Sequence, residues 1–306
     1  MIAHACVAVV SCVLGGAASQ PSTLSREQLL AGVEKARGRI KDLDVTFTYN
    51  VSGKPPRTIV ARSRMRLVLK GEMCYMEHAY RFGGPDGDEK RLHHRRAAYR
   101  GGFSTIVFPD DKTALIQPDQ TRDADPSTSG FFQVSQWTDP EGNVGSYKDS
   151  LLAAMRDPKG RVRPKLDTIN GHACHVLEVP FHQGEVAVGA TYWIDVQRGF
   201  SLLKTEYWRY PGRGVRKTCK VTKLASVAKG IWLPVAGTVK VKAPSYEGTM
   251  VMQVELDRAG KPKLKVNTGV PDSFFSAETV IPVGYRVYDK HKDKSYKMPK
   301  HVRKPA

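Results

Sequence analysis

The sequence predicts an α+β, mainly β protein built on one large curved antiparallel sheet with helices against one face. Three observations predict it. Apolar and polar residues alternate with period two through most of the chain, glycine-rich turns separate the alternating runs, and only two segments show a helical period. Long β-rich tracts interrupted by two helices fit a sheet that buries one face against them.

The first segment is set apart from that plan. Met1 to His4 precedes the apolar run ACVAVVSCVLGGA, and Ala17, Ala18 and Ser19 are the small residues a signal peptidase reads. Residues 1–19 are therefore expected to be an export signal, with the mature chain beginning at Gln20. The leading residues lack Lys or Arg, and Val9-Val10-Ser11-Cys12 offers an alternative lipoprotein-type cleavage, oddly early in the apolar run. The run is about a dozen residues, short of the roughly 20 that span a bilayer, and no later segment is longer and apolar. The mature chain is expected to lack an integral membrane segment.

Leu24 to Leu43 has the clearest helical pattern. Ser25 and Gln28 have capping-box spacing, and Leu29, Val33, Ala36 and Ile40 line one face. From Asp44 the period changes to two. Val45, Phe47, Tyr49 and Val51 alternate with Thr46, Thr48 and Asn50, the pattern of a half-buried strand. Ala61, Ser63, Met65, Leu67 and Leu69 then alternate with Arg62, Arg64, Arg66 and Lys70, giving one dry face and one basic wet face. Strands at about 72–82, 92–100 and 104–109 follow, separated by GGPDG and GG turns.

The middle is less regular. Residues 118–130 (PDQTRDADPSTSG) read as an exposed loop, and Tyr147 to Arg156 as a short helix with Leu151, Leu152 and Met155 on its apolar side. Strands return at about 173–180, 187–195, 201–210, 215–225, 235–242 and 250–256, with Gly184, Gly199, Gly212 and Gly214 in the turns. The C-terminal residues 291–306 are polar and basic with no apolar period, so residues 20–290 are expected to form the domain and the remainder a flexible tail.

Composition narrows the partners. The 306 residues are 41% hydrophobic, an ordinary globular share, whereas 48 Lys and Arg against 30 Asp and Glu leave a net charge of +18. Such a surface favours anionic partners. Loss of the signal removes Cys6 and Cys12, and the remaining Cys74, Cys174 and Cys219 are read as small buried side chains.

Residues His172, Cys174 and His175 crowd together as metal ligands or a catalytic pair might. On a strand, however, residues an odd number apart point to opposite faces, so His175 diverges from both others. Two ligands are too few for zinc. His93 and His94 stand among Arg91, Arg95 and Arg96, where a solvated basic strand is the simpler reading. The sequence has no GxSxG, no HExxH and no GxxxxGK[ST]. No catalytic residue, metal ligand or cofactor is expected, and the protein is not read as an enzyme.

Certain spacings resemble a known family. Gly171 with Cys174, Tyr192 to Asp195 with Gly199, Leu202 with Lys204 and Glu206, and Gly230 with Trp232 and Pro234 are similar to the pattern of LolA/LolB-like periplasmic lipoprotein carriers and RseB-like domains. The likeness covers the C-terminal half well and the N-terminal half in outline. It implies a half-open barrel with helices packed on its concave face and a hydrophobic cavity for acyl chains. Phe47, Tyr49, Met65, Leu67, Leu69, Leu177, Val179, Val239, Val241, Met250, Met252 and Val254 are the expected lining, although a filled core would use the same residues.

The function expected is that of a periplasmic or secreted protein binding a lipid or the acyl chain of a lipoprotein, as carrier, sensor or scaffold. The basic surface and the strand at 92–100 are differences from dedicated carriers. Two alternatives remain: binding of an anionic envelope polymer through the Arg62, Arg64, Arg66 face and the tail, or a hydrolase on the same sheet.

Overall fold

A computed structural model describes residues 23–54, 60–71, 73–83, 92–118, 155–183, 186–209, 214–243 and 246–300. The expected signal, the loop after residue 118 and residues 147–154 of the second expected helix lie outside the described residues. Met155 and Arg156, the end of that helix, are helical.

Helix α1 (Arg26–Arg37) starts where its cap dictates. Ser25 Oγ accepts from Gln28 N at 3.2 Å while Gln28 Oε1 accepts from Ser25 N at 2.8 Å, so two of the first-turn N–H groups are satisfied. The helix stops earlier than the sequence pattern predicts. Gly38 caps it by donating to Glu34 O at 2.9 Å, and Asp42 and Leu43 are drawn into the sheet instead. Its fully buried Leu29 and Val33 face strand residues described below.

The alternating runs form β1 (Asp42–Lys54), β2 (Val60–Lys70), β3 (Met73–Gly83), β4 (His93–Arg100), β5 (Phe103–Phe108) and β6 (Thr113–Pro118), a continuous antiparallel meander. A second meander follows. It runs through β7 (Arg161–Val162), β8 (Asp167–Ile169), β9 (His172–Gln183), β10 (Val186–Asp195), β11 (Ser201–Arg209), β12 (Gly214–Ala228), β13 (Ile231–Ala243) and β14 (Tyr246–Val254). β14 pairs antiparallel with β1, which therefore has β2 on one edge and β14 on the other. The chain ends with β15 (Leu264–Val266) beside β1, a 3-10 turn (Asp272–Phe275), α2 (Ala277–Val280), β16 (Arg286–Asp289) and β17 (Lys294–Lys297).

The pairings run β17, β16, β6, β5, β4, β3, β2, β1, β14, β13, β12, β11, β10, β9, with β7 and β8 on the far edge of β9. β16 joins β6 in parallel, and every other pairing of this series is antiparallel. Among the described residues, β17 and the β9 edge do not pair. The sheet is open, as the sequence predicts. No described helix is long and apolar enough to cross a membrane.

Both faces of the sheet are buried in part. The inner face gathers Leu43, Val45, Phe47, Met65, Leu67, Leu69, Met250 and Met252. The outer face of β2 to β6 gathers Val68, Tyr75, Ala98, Val107 and Ala114 under Phe275, Val280, Ile281, Val287 and Met298. A short helix the sequence did not signal, α2, lies with its 3-10 turn on the outer face, where Phe275 and Val280 cover the apolar stripe that Val68 and Tyr75 open. One expectation is corrected here. The segment from residue 291 is not all tail, since Lys294–Lys297 pairs with β16 and Met298 is buried.

One carboxylate ties this C-terminal wrap to β1. Asp42 is 4% exposed and accepts from Thr268 N at 2.8 Å, Thr268 Oγ1 at 3.3 Å and Gly269 N at 2.9 Å. Burial alone would raise its pKa, but these donors outweigh burial and hold it below the usual carboxylate range. Asp42→Ala should lower stability at pH 7 by about 1–3 kcal/mol, because buried N–H donors lose a charged acceptor. A depressed carboxylate pKa contributes stability present above the unfolded pKa and lost as pH falls through the folded one. Denaturant unfolding of Asp42→Asn and parent should therefore converge as the pH is taken well below 4.

Candidate functional site

Strand registers define what the inner face presents. Reading across the sheet, one row is Val254, Phe47, Met65, His78 and Arg95; the next is Met252, Tyr49, Ser63, Tyr80 and His93. The row on the other side of the first holds Val45, Leu67, Met76, Ala97 and Ile106. Opposed residues in an antiparallel pair share a face, so each row is a line of neighbouring side chains. The inner face is mainly apolar over β13, β14, β1 and β2, with Tyr49 and Ser63 carrying polar groups in the second row, and turns polar on β3 and β4.

The structure splits the expected lining into two clusters. Phe47, Tyr49, Met65, Leu67, Leu69, Val239, Met250, Met252 and Val254 are buried together, with Val241 packed at their margin. Leu177 and Val179 belong elsewhere. They lie under α1 with Leu29, Val33, Met155, Ala190, Tyr192 and Ile194. Close approach of α1 to this end depends on Gly32: a Cβ there would stand 2.0 Å from Phe200 Cε1, so the ring occupies the space a side chain would take.

The polar patch was not anticipated, and Arg95 corrects the reading of β4 as a simple solvated strand. His93, Arg95, Ala97 and Tyr99 face inward while His94, Arg96 and Arg100 alternate outward. Tyr49 Oη and His78 Nε2 lie 2.5 Å apart, sharing a hydrogen bond whose direction the imidazole tautomer sets. The His78 ring packs on Tyr80 at 4.6 Å between centroids, and Tyr80 stacks on His93 at 5.4 Å with 20° between planes. Ser63 and His78 are buried. Arg95 Nε is shut off from solvent, and burial lowers the guanidinium pKa, with Tyr80 acting in the opposite direction. The signal was present in the sequence: Cys74, Met76, His78 and Tyr80 keep the period that makes Met65 and Leu67 inward.

Elsewhere the cations and histidines have structural work. Arg64 donates to Glu255, which also pairs with Lys263 at 2.9 Å; Arg66 donates to both oxygens of Asp44; Arg96 donates to Glu77. The Arg62 side chain lies outside what is described. Cys174 and His175 diverge as the strand period demands. Cys174 packs on the outer face with Val176, Trp193, Leu203 and Val221, whereas His175 Nδ1 accepts from Leu24 N at 3.4 Å. Burial, with Asp195 nearby, pushes the Cys174 thiol up to about 11, the opposite of an activated nucleophile.

Known proteins were compared with this arrangement. No family profile matches the sequence, and no curated protein matches it. Solved structures do. A candidate outer membrane lipoprotein-sorting protein domain from Vibrio parahaemolyticus is 14% identical, with a TM-score of 0.50 over 84% of this chain and 100% of that chain. A LolA superfamily protein from Nitrosomonas europaea is 12% identical, with a TM-score of 0.42 over 83% of this chain and 98% of that one. A DUF1329 family protein from Desulfovibrio piger is 11% identical, with a TM-score of 0.49 over 83% and 97%. The fold is an open half-barrel like that of the Vibrio parahaemolyticus domain.

Within the half-barrel, the glycine motif of the C-terminal half has an architectural role. Gly199 and Gly230 have φ of +65° and +70°, and a Cβ on Gly199 would meet Gly230 O at 3.1 Å, so two turns are held against each other. Arg198 adds to the same corner by donating to Asp195 at 3.0 Å and lying over the Trp232 ring.

His78 gives the inner face a pH dependence. Burial first, and the Arg95 charge second, lower its pKa from 6.5 to about 4. Between those values the unfolded chain binds a proton that the native state refuses, so stability should fall as pH drops from about 6.5 towards 4. Denaturant unfolding across this range should show the slope, and His78→Gln should flatten it. A native His78 resonance titrating near 6.5 by NMR would contradict the burial argument.

Proposed function

We propose that this is an exported cell-envelope protein that takes up the acyl chain of a lipid or of a lipoprotein within the half-barrel, as carrier, sensor or scaffold. One observation carries the reading. The inner face of an open sheet carries an apolar expanse from Val239 on β13 through Met250, Met252 and Val254 on β14 and Phe47 on β1 to Met65, Leu67 and Leu69 on β2. Three of these residues are methionines, whose unbranched side chains repack around apolar ligands of different shape. The fold shared with the Vibrio parahaemolyticus domain supports the same class of ligand, and the N-terminal segment 1–19 supports export.

The alternatives find less support. Arg64 and Arg66 are engaged by Glu255 and Asp44, so the outer face of β2 offers a polyanion less charge than the alternation implies. Catalysis finds little support: burial pushes the Tyr49 phenol beside His78 up to about 12, and Cys174 is directed away from His175.

Organic extraction of the purified protein followed by mass spectrometry should release an acyl lipid, and the delipidated protein should bind a fluorescent fatty acid. Met250, 2% exposed, tests the location. Met250→Glu should reduce probe affinity at least tenfold while a cooperative thermal transition remains, because an ionised group disfavours a dry ligand site. A parent that yields no lipid and binds no probe, beside a variant that simply unfolds, would show a filled core and overturn the reading.

A further inference from the structure

The half-barrel interior is two-sided, and its polar side has a definite chemistry. Ser63, Tyr49, His78, Tyr80, His93 and Arg95 occupy adjacent positions of two neighbouring rows, directly continuous with Phe47, Met65 and Met252 in the same rows. Every one of the six can donate a hydrogen bond: two phenols, a serine hydroxyl, two imidazoles and a guanidinium with five N–H groups in a planar fork. The fork recognises planar or tetrahedral oxyanions in a bidentate manner, which a lysine in its place would not do as well.

We infer that this patch is a headgroup site, and that the ligand of the half-barrel is an anionic amphiphile whose carboxylate or phosphate is held at Arg95 with Tyr80 and His78 beside it, while its chain lies over Met65, Phe47 and Met252. The inference rests on the acyl-binding reading above and adds the polarity and orientation of the ligand to it.

Geometry supports the arrangement in three ways. Arg95 and Met65 flank His78 in one cross-strand row, so they stand two strand spacings apart, roughly 10 Å, which fits a headgroup and the first carbons of a chain. Tyr49 and His78 are already joined, and the rings of His78, Tyr80 and His93 pack in series, so the donors are held in place before any ligand arrives. Burial at Arg95 and His78 also strengthens any charge-assisted hydrogen bond made there relative to one in water.

The test uses the delipidated protein and three probes: oleate, oleyl alcohol and inorganic phosphate, each displacing or competing with a fluorescent fatty acid at pH 7.5. Oleate should bind about 10- to 100-fold more tightly than oleyl alcohol, the range expected of hydrogen bonds to a charged group. Arg95→Gln should remove most of that preference and leave oleyl alcohol unchanged. Arg95→Lys should restore part of it. Phosphate competing as well as oleate would mean a free-anion site rather than a lipid headgroup site and would overturn the proposal. If oleate and oleyl alcohol bind the parent equally, acyl binding stands and the headgroup site fails. If neither binds, acyl binding fails and the headgroup site with it. The comparison of the two oleyl probes in the parent does not depend on any variant folding.

Discussion

β1 is the constraint on which the rest of the structure depends. It is hydrogen-bonded along both edges, to β2 from Asp42 to Ser52 and to β14 from Phe47 to Lys54, and among the described residues it joins the N-terminal meander to the C-terminal one. A shift of one residue in either register would turn Phe47 and Tyr49 outward and bring Thr46 and Thr48 into the interior. The inner rows, the apolar expanse and the polar patch all inherit their positions from this strand. Asp42 at its start then anchors the C-terminal wrap.

Burial on both faces divides the labour. The outer cluster under Phe275, Val280 and Met298 stabilises β2 to β6 without calling on any inner residue, and the Cys174, Trp193, Leu203 and Val221 cluster does the same for β9 to β12. Inner residues are thereby partly released from the duty of holding the sheet together. That separation is compatible with an interior that carries histidines, tyrosines and an arginine, groups that a sole core would tolerate poorly.

How much was legible in the sequence depended on the length of each pattern. α1 was marked by Ser25 and Gln28, and β1 and β2 by long uninterrupted alternation; their boundaries moved by only a few residues, apart from the early stop of α1 at Gly38. β6 was missed because TALIQP is short and runs into Pro118. The segment from Asp272 to Met298 was missed for a different reason: its elements are brief, and what orders them is contact with Val68, Tyr75 and Ala114, far away in the chain. Val68 shares the face of Arg62, Arg64, Arg66 and Lys70, yet Arg64 and Arg66 extend to Glu255 and Asp44 and leave the stripe beneath to be covered. The apolar part of the candidate site was readable from alternation. On β3 the period of Cys74 and Met76 also marked His78 as inward, but its meeting with Arg95, Tyr49 and Met65 depends on strand register, which alternation does not give.

That β17 and the β9 edge do not pair among the described residues has a mechanical consequence. A closed barrel has its circumference fixed by the number of strands and their stagger. A sheet with two separate ends obeys no such condition, and its radius can change through small increments of twist spread over many strand pairs, with each ladder intact. The span between the lysine-rich margin at β17 and the α1-covered margin at β9 is then a continuous variable. A wall of this kind is held by its ladders alone and not by a closed circumference.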